Sequence, residues 1–252
     1  MEKYDFDTVV PRRGTNSYKW DTPEQEGVLP MWVADMDFRA APCIVEALQR
    51  RVSHGVFGYT RVPAAYYDAV TDWFARRHGW RIDPHWILYT TGVVPALSAV
   101  IKALTVPGDR VIVQTPAYNC FYSSIRNNGC ELLANRLRYE SGAYTIDFDD
   151  LETKASDPKA KLLLLCNPHN PIGKVLTLAE EQRLCELAER YDVRIFNDEI
   201  HAPFVFEGRH IPYPTISEAA ARQSMTATSA SKSFNIPGTK CAQVLLTNPA
   251  DR

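Results

Sequence analysis

The chain has 252 residues, 45% of them hydrophobic and 23% charged, with a formal net charge of −2 at pH 7. That size and composition suit an ordinary globular protein with a large buried core, built as one big domain or two unequal ones. The near-neutral balance gives no electrostatic case for nucleic acid or an anionic membrane, and no segment approaches the ~20 apolar residues that a membrane span needs. The opening Met-Glu-Lys-Tyr-Asp-Phe-Asp is charged and carries no signal-peptide pattern. Cysteines at 43, 120, 130, 166, 185 and 241 are scattered, without CxxC pairs or zinc spacing. Reduced thiols in a cytosolic protein are therefore expected, with no disulfide framework and no metal site.

Residues 1–40 show little periodicity and read as an extended arm lying over another surface. Helical patterns follow at 42–53 and 65–78, separated by Gly55-Val-Phe-Gly-Tyr-Thr60. From residue 86 the chain alternates. A short buried strand at 86–90 leads through Thr91-Gly92 into an apolar helix reaching about 104, with Pro95 tolerable in its first turn. Further strands are expected at 110–114, 130–135, 161–166, 193–197 and 241–247, and further helices at 118–127 and 178–191. The last of these helices opens on the capping box Thr177-Leu-Ala-Glu180. Leu184, Leu187, Ala188 and Tyr191 recur at helical spacing and give it one apolar face. Continuous apolar strands alternating with helices indicate an α/β fold with a mostly parallel sheet. Ligands on such sheets bind beyond the carboxyl ends of the strands. Gly92, Tyr118, Asn170 and Asp198 each follow a strand in this way.

Three motifs carry the chemistry: Asn-Pro-His-Asn-Pro-Ile-Gly at 167–173, Asn-Asp-Glu-Ile-His at 197–201, and Ser229-Ala-Ser-Lys232-Ser-Phe-Asn-Ile-Pro-Gly238. An amide, a carboxylate and an amine in that order suit pyridoxal 5′-phosphate (PLP). Lys232 offers the amine for a Schiff base with its aldehyde, and Asp198 a carboxylate for the protonated pyridine nitrogen. Asn170 offers an amide to the ring oxygen, and Tyr118 an aromatic plate for the ring face. The backbone N–H groups at Gly92, Val93 and Val94, with the Ser229 hydroxyl and the Lys240 charge, suit the phosphate. Each piece taken singly has an ordinary reading. Ser-x-x-Lys is usually a surface lysine near a turn. Asp198-Glu199 could bind Mg²⁺, although no phosphate-binding glycine loop accompanies it. Asn170 could shape an Asx turn before Pro171, Tyr118 could be core, and His169 and His201 could be structural.

Together these motifs resemble the fold-type I PLP enzymes of the class I/II aminotransferase superfamily. Asn16-Ser-Tyr-Lys-Trp-Asp21, Leu29-Pro-Met-Trp-Val-Ala-Asp-Met-Asp-Phe38, Gly58-Tyr-Thr60, Gly92-Val-Val-Pro-Ala-Leu97 and Thr115-Pro-Ala-Tyr118 narrow the resemblance to the cystathionine β-lyase branch, over essentially the whole chain. The resemblance implies a PLP-transferase-like large domain over 56–252, preceded by an N-terminal arm and small-domain segment over 1–55. It implies that Lys232 holds the cofactor and serves as acid/base, with Asp198, Asn170, Tyr118, Ser229, Lys240 and the 92–94 backbone as its other contacts. His201 stands where aminotransferases commonly place a tyrosine hydroxyl near the ring oxygen, and its role stays open. Ala34 would lie near the substrate carboxylate. Members are homodimers with shared active sites, so Tyr59 would reach the partner subunit's phosphate.

The implied reaction is α,β-elimination from cystathionine or another cysteine S-conjugate, giving a thiol, pyruvate and ammonia. The site residues do not separate this from transamination; only the branch-level resemblance does. An aminotransferase and an inactive or regulatory homologue are the alternatives. Members of the branch continue for roughly a hundred residues past the position of Arg252. The small C-terminal domain, with the arginine that grips the substrate α-carboxylate, is therefore expected to be largely missing. Weak cofactor binding and poor turnover are expected of this chain alone.

Overall fold

The computed structural model describes residues 4–22 and 27–252. The chain divides into two compact units, Met1–Arg61 with Ala230–Lys240, and Val62–Ser229 with Cys241–Arg252. In chain order the described helices and strands are α1 (Tyr18–Asp21), α2 (Pro42–Ser53), α3 (Ala64–His78), β1 (Ile87–Thr90), α4 (Val93–Leu104), β2 (Arg110–Thr115), α5 (Asn119–Asn127), β3 (Glu131–Arg136), β4 (Arg138–Glu140), β5 (Ala143–Thr145), α6 (Phe148–Ala155), β6 (Ala160–Cys166), α7 (Leu178–Tyr191), β7 (Arg194–Asp198), α8 (Glu218–Gln223), β8 (Ser224–Thr228) and β9 (Ala242–Leu245).

The second unit is built on a sheet in the order β1-β9-β8-β7-β6-β2-β3. Neighbours β3, β2, β6, β7 and β8 pair in parallel, whereas β9 is antiparallel to both β8 and β1. All strands of this sheet except β9 therefore run in one direction, and their carboxyl ends share one edge. The apolar run Leu162–Leu165 serves both faces because side chains alternate along a strand. Leu163 and Leu165 join Ile112, Ile195 and the α7 residues Leu184, Leu187 and Ala188 in one cluster. Leu162 and Leu164 join Val111, Val113, Phe196 and the α4 and α5 residues Leu97, Ile101, Phe121 and Ile125 in another. Each of these leucines is at most 3% exposed. Each such burial is worth about 1.5–3 kcal/mol, so this double-sided core fixes the strand ends on which the candidate residues sit.

Observed boundaries fall within a residue or two of the expected ones for the helices α2 to α5 and α7. Two departures have physical causes. The expected strand at 241–247 is the shorter β9, which ends before the Asn248 cap of a terminal 3-10 turn at Pro249–Asp251. The sequence pattern also gives no sign of α1, α6, α8, β8 or the β4–β5 hairpin. Ser-Met-Thr-Ala-Thr in β8 is not an apolar run, yet all but its last residue is buried, because the strand lies in the sheet interior between β7 and β9.

The first unit is organised differently. The arm folds back on itself through a polar network rather than a core. Arg12 donates to Asp35 Oδ2 at 2.8 Å and to Asp37 Oδ1 at 2.9 Å. Lys19 Nζ donates to the Asp35 carbonyl at 2.8 Å and to Asp37 Oδ2 at 2.7 Å, and Trp20 Nε1 to Asp37 Oδ1 at 2.7 Å. Among the described residues of this unit only Ser17, Lys19 and Pro30 are buried. Helix α2 buries none of its residues and exposes Val45, Leu48 and Val52.

Candidate active site

The carboxyl edge of the sheet gathers the candidates in the second unit. Gly92 follows β1 and caps α4, so the N–H groups of Val93 and Val94 belong to the unsatisfied first turn of that helix. A Cβ at Gly92 would lie 3.2 Å from Pro95 Cδ. Tyr118 follows β2 and caps α5, with its ring edge-on to Phe121 at 6.2 Å. Asn170 follows β6, Asp198 ends β7, and Ser229 follows β8, where its hydroxyl donates to the Cys241 carbonyl at 2.7 Å. His201 caps a 3-10 turn at Ala202–Phe204, just past Asp198.

Asp198 is only 4% exposed and accepts the Ile200 N–H at 3.1 Å. Across the ladder it faces Cys166, whose thiol is pushed well up by burial and further by the Asp198 charge. That thiol therefore stays protonated. It lies 3.3 Å from the Pro168 carbonyl and 3.5 Å from the Asn170 N–H. The 167–173 loop is tied down on both sides. His169 Nε2 lies 2.8 Å from the Pro116 carbonyl, and the Gly173 N–H donates to the His169 carbonyl at 2.8 Å. Burial pushes the His169 imidazole down, so it is neutral near pH 7, with its proton on the Nε2 that meets the carbonyl. Gly173 takes φ +72°, a conformation that a side chain would strain.

Beneath this loop lies a buried polar cluster. Asn167 Nδ2 donates to Glu181 Oε1 at 2.5 Å, Asn167 Oδ1 accepts the Leu176 N–H at 3.0 Å, and the Asn167 N–H donates to the Asp198 carbonyl at 3.1 Å. Burial, then the negative charge of Glu199, push the Glu181 carboxyl up to about 8. Glu199 Oε1 accepts from Asn197 Nδ2 at 2.6 Å and from the Tyr213 N–H at 2.8 Å, and its Oε2 lies 3.1 Å from His210 Nε2. One residue, Asn167, thus ties the end of β6 to the end of β7 through its backbone N–H and to α7 through its side chain.

The first unit holds the remaining candidates. Lys232 Nζ donates to the Ala34 carbonyl at 3.0 Å. Lys240 takes φ +54° after a 3-10 turn at Pro237–Thr239. Tyr59 is fully exposed. Asn235, Asn167, Glu181 and Arg12 carried no role in the sequence reading. Asn235 and Asn167 lie inside the quoted motifs, where a polar side chain amid Gly and Pro was the available signal. Glu181 was hidden as one more glutamate beside the capping box. In donor chemistry the two units contain what PLP needs: an amine, a buried carboxylate, an amide, an aromatic ring, hydroxyls and a helix N-terminus.

The model of the family described as "Aminotransferase class I and II" matches residues 27–250. Cystathionine beta-lyase PatB of Bacillus subtilis (strain 168) is 46% identical over 96% of this chain and 64% of its own length. Protein MalY of Escherichia coli (strain K12) is 38% identical over 99% of this chain and 65% of its own. Among solved structures, a PLP-bound putative aminotransferase from Clostridium difficile 630 superposes with a TM-score of 0.94 at 38% identity, covering 99% of this chain and 65% of that one. Cystalysin from Treponema denticola, which contains a pyridoxal 5′-phosphate cofactor, gives 0.93 at 37% identity, covering 98% and 65%. The mostly parallel sheet flanked by helices expected from the sequence is the fold shared with these structures. The chain spans about 65% of the length of these relatives.

Proposed function

The chain belongs to the aminotransferase class I and II family, and on that premise we propose that it binds PLP and serves a carbon–sulfur β-lyase acting on cystathionine or another L-cysteine S-conjugate. The observation that carries the cofactor assignment is Asp198, a carboxylate 4% exposed at the end of β7 with the Asn167–Asn170 loop tied to its carbonyl. The name of the relative at 46% identity, cystathionine beta-lyase PatB, supports a lyase over an aminotransferase. When bound, the cofactor supplies an electron sink for negative charge at the substrate Cα.

Each residue then has a stated task. Lys232 Nζ is the attachment point and moves the Cα proton. Asp198 holds a proton on the nitrogen facing it, Asn170 donates its amide to the ring oxygen, and the Tyr118 ring covers one face. The Ser229 hydroxyl, the Lys240 charge and the N-terminus of α4 through Gly92, Val93 and Val94 hold phosphate. His201, which caps the turn just past Asp198, would belong to the cofactor site with its role open, and Ala34 would meet the substrate carboxylate through its backbone. The arm over 1–55 serves as a small-domain segment and 56–252 as the cofactor-binding domain. A homodimer, with exposed Tyr59 reaching the partner subunit's phosphate, and a cytoplasmic location belong to the same reading, which the six free thiols support.

Reducing the chain with borohydride in the presence of PLP should leave a pyridoxyl group on Lys232; label elsewhere, or nowhere, refutes the cofactor assignment. Pyruvate and thiol released from cystathionine without a keto acid would support the lyase, and release only with a keto acid the aminotransferase.

A further inference from the structure

Lys232 sits in a loop that the Asn235 side chain fastens to the strap at 33–38. Asn235 Nδ2 donates to the Met36 carbonyl at 3.0 Å and to the Phe38 carbonyl at 2.8 Å, while Asn235 Oδ1 accepts the Met36 N–H at 3.1 Å. This uses the amide's donor and acceptor ends on the strap's main chain, in the pattern of a strand partner. Asn235 itself takes φ +54°, a conformation asparagine tolerates better than most residues. The Phe234 and Ile236 N–H groups donate back to Ala230 and Ser231 at 3.0 Å each, which closes the loop around Lys232. On its other side the strap is held by Arg12 and Lys19 through Asp35 and Asp37. Ala34 immediately precedes the residues held by these two anchorages, and its carbonyl receives Lys232 Nζ.

We propose that Asn235 is a positioning residue that clamps the 33–38 strap to the lysine loop, so that the Ala34 carbonyl is a built docking acceptor for the Lys232 ammonium. The dock restrains the amine whenever it is not engaged elsewhere. A carbonyl accepting from an ammonium favours the charged, unreactive form, so the clamp sets how readily Lys232 attacks an electrophile. The proposal deepens the reading of Lys232 as the attachment residue, but its test is independent of PLP.

Asn235→Gly keeps the left-handed backbone accessible and removes all three strap bonds. In the cofactor-free chain two quantities are measured by mass spectrometry: amide hydrogen exchange at Met36, and the rate at which acetic anhydride acetylates Lys232 relative to Lys102. Both should rise, the acetylation several-fold and up to about tenfold, as expected when one charge-assisted hydrogen bond is loosened. A merely structural defect would leave Lys232 no more reactive than before. Where the glycine variant fails to fold, Asn235→Asp, which keeps the acceptor for Met36 and loses both donations, replaces it with Lys232 acetylation as the one readout. If a rate so measured matches the wild type in a folded variant, the proposal is overturned. Borohydride labelling of the same samples reports separately on the cofactor assignment.

Discussion

Glu181 enters the neutral pH range still carrying its proton, because burial and the nearby Glu199 charge raise its carboxyl to about 8. Its Oε1 takes the Asn167 amide, so the group that anchors the cofactor-side loop is a neutral acid. The linkage has a definite sign. Between the ordinary 4.5 and about 8, the folded chain holds a proton that the unfolded chain has lost. Stability therefore falls as pH rises through that window, by up to about 1.4 kcal/mol per unit. Glu181→Gln keeps an oxygen for Asn167 and removes the titration. Its stability relative to the wild type, from urea unfolding at a series of pH values, should climb between pH 4.5 and 8 and then level off. Parallel curves for the two proteins would contradict this. At this scale the sequence was informative about reactive groups and silent about their supports. Lys232, Asp198 and Asn170 announce themselves by type and order, whereas Asn167 and Asn235 act through main-chain partners that only the fold brings near.

Helix α7 shows how far local signals reach. Its capping box is complete: the Glu180 N–H donates to Thr177 Oγ1 at 3.2 Å and the Thr177 N–H to Glu180 Oε2 at 2.9 Å. Thr177→Ala should lower stability by about 1 kcal/mol, seen as a lower urea midpoint with an unchanged slope. An unchanged midpoint would show the cap to be redundant with the packing of Leu184, Leu187 and Ala188. Helices and central strands were legible because their apolar spacing is dictated by the layers they join. Strand β8 was not, since a position between two strands can bury Ser224 and Thr226 without any apolar signature. Nor could periodicity reveal that β9 reverses direction, because pairing sense leaves no mark on a four-residue strand.

The two units rest on different forces, and that governs how each answers acid. The second unit has three apolar clusters, whereas the first is held chiefly by Arg12, Lys19 and Trp20 converging on Asp35 and Asp37. Burial acts to raise the Asp37 carboxyl, but the Lys19 and Trp20 hydrogen bonds outweigh it and hold the group below the usual 3.8. Its contribution is complete above pH 3.8 and is lost as pH falls through the lower folded value. The indole N–H resonance of Trp20 should accordingly shift only below pH 3.8, while methyl resonances of Leu162–Leu165 stay in place. Simultaneous loss of both would mean that the units do not respond separately. Ser229 and Cys241 leave adjacent antiparallel strands and are bridged by a hydrogen bond, so residues 230–240 are an excursion whose two roots are already stitched together by the β8–β9 ladder. A nick in that excursion would leave the roots fastened. The lysine is thus mounted on a detachable insert, which could be lengthened, shortened or exchanged without resetting the register of the sheet.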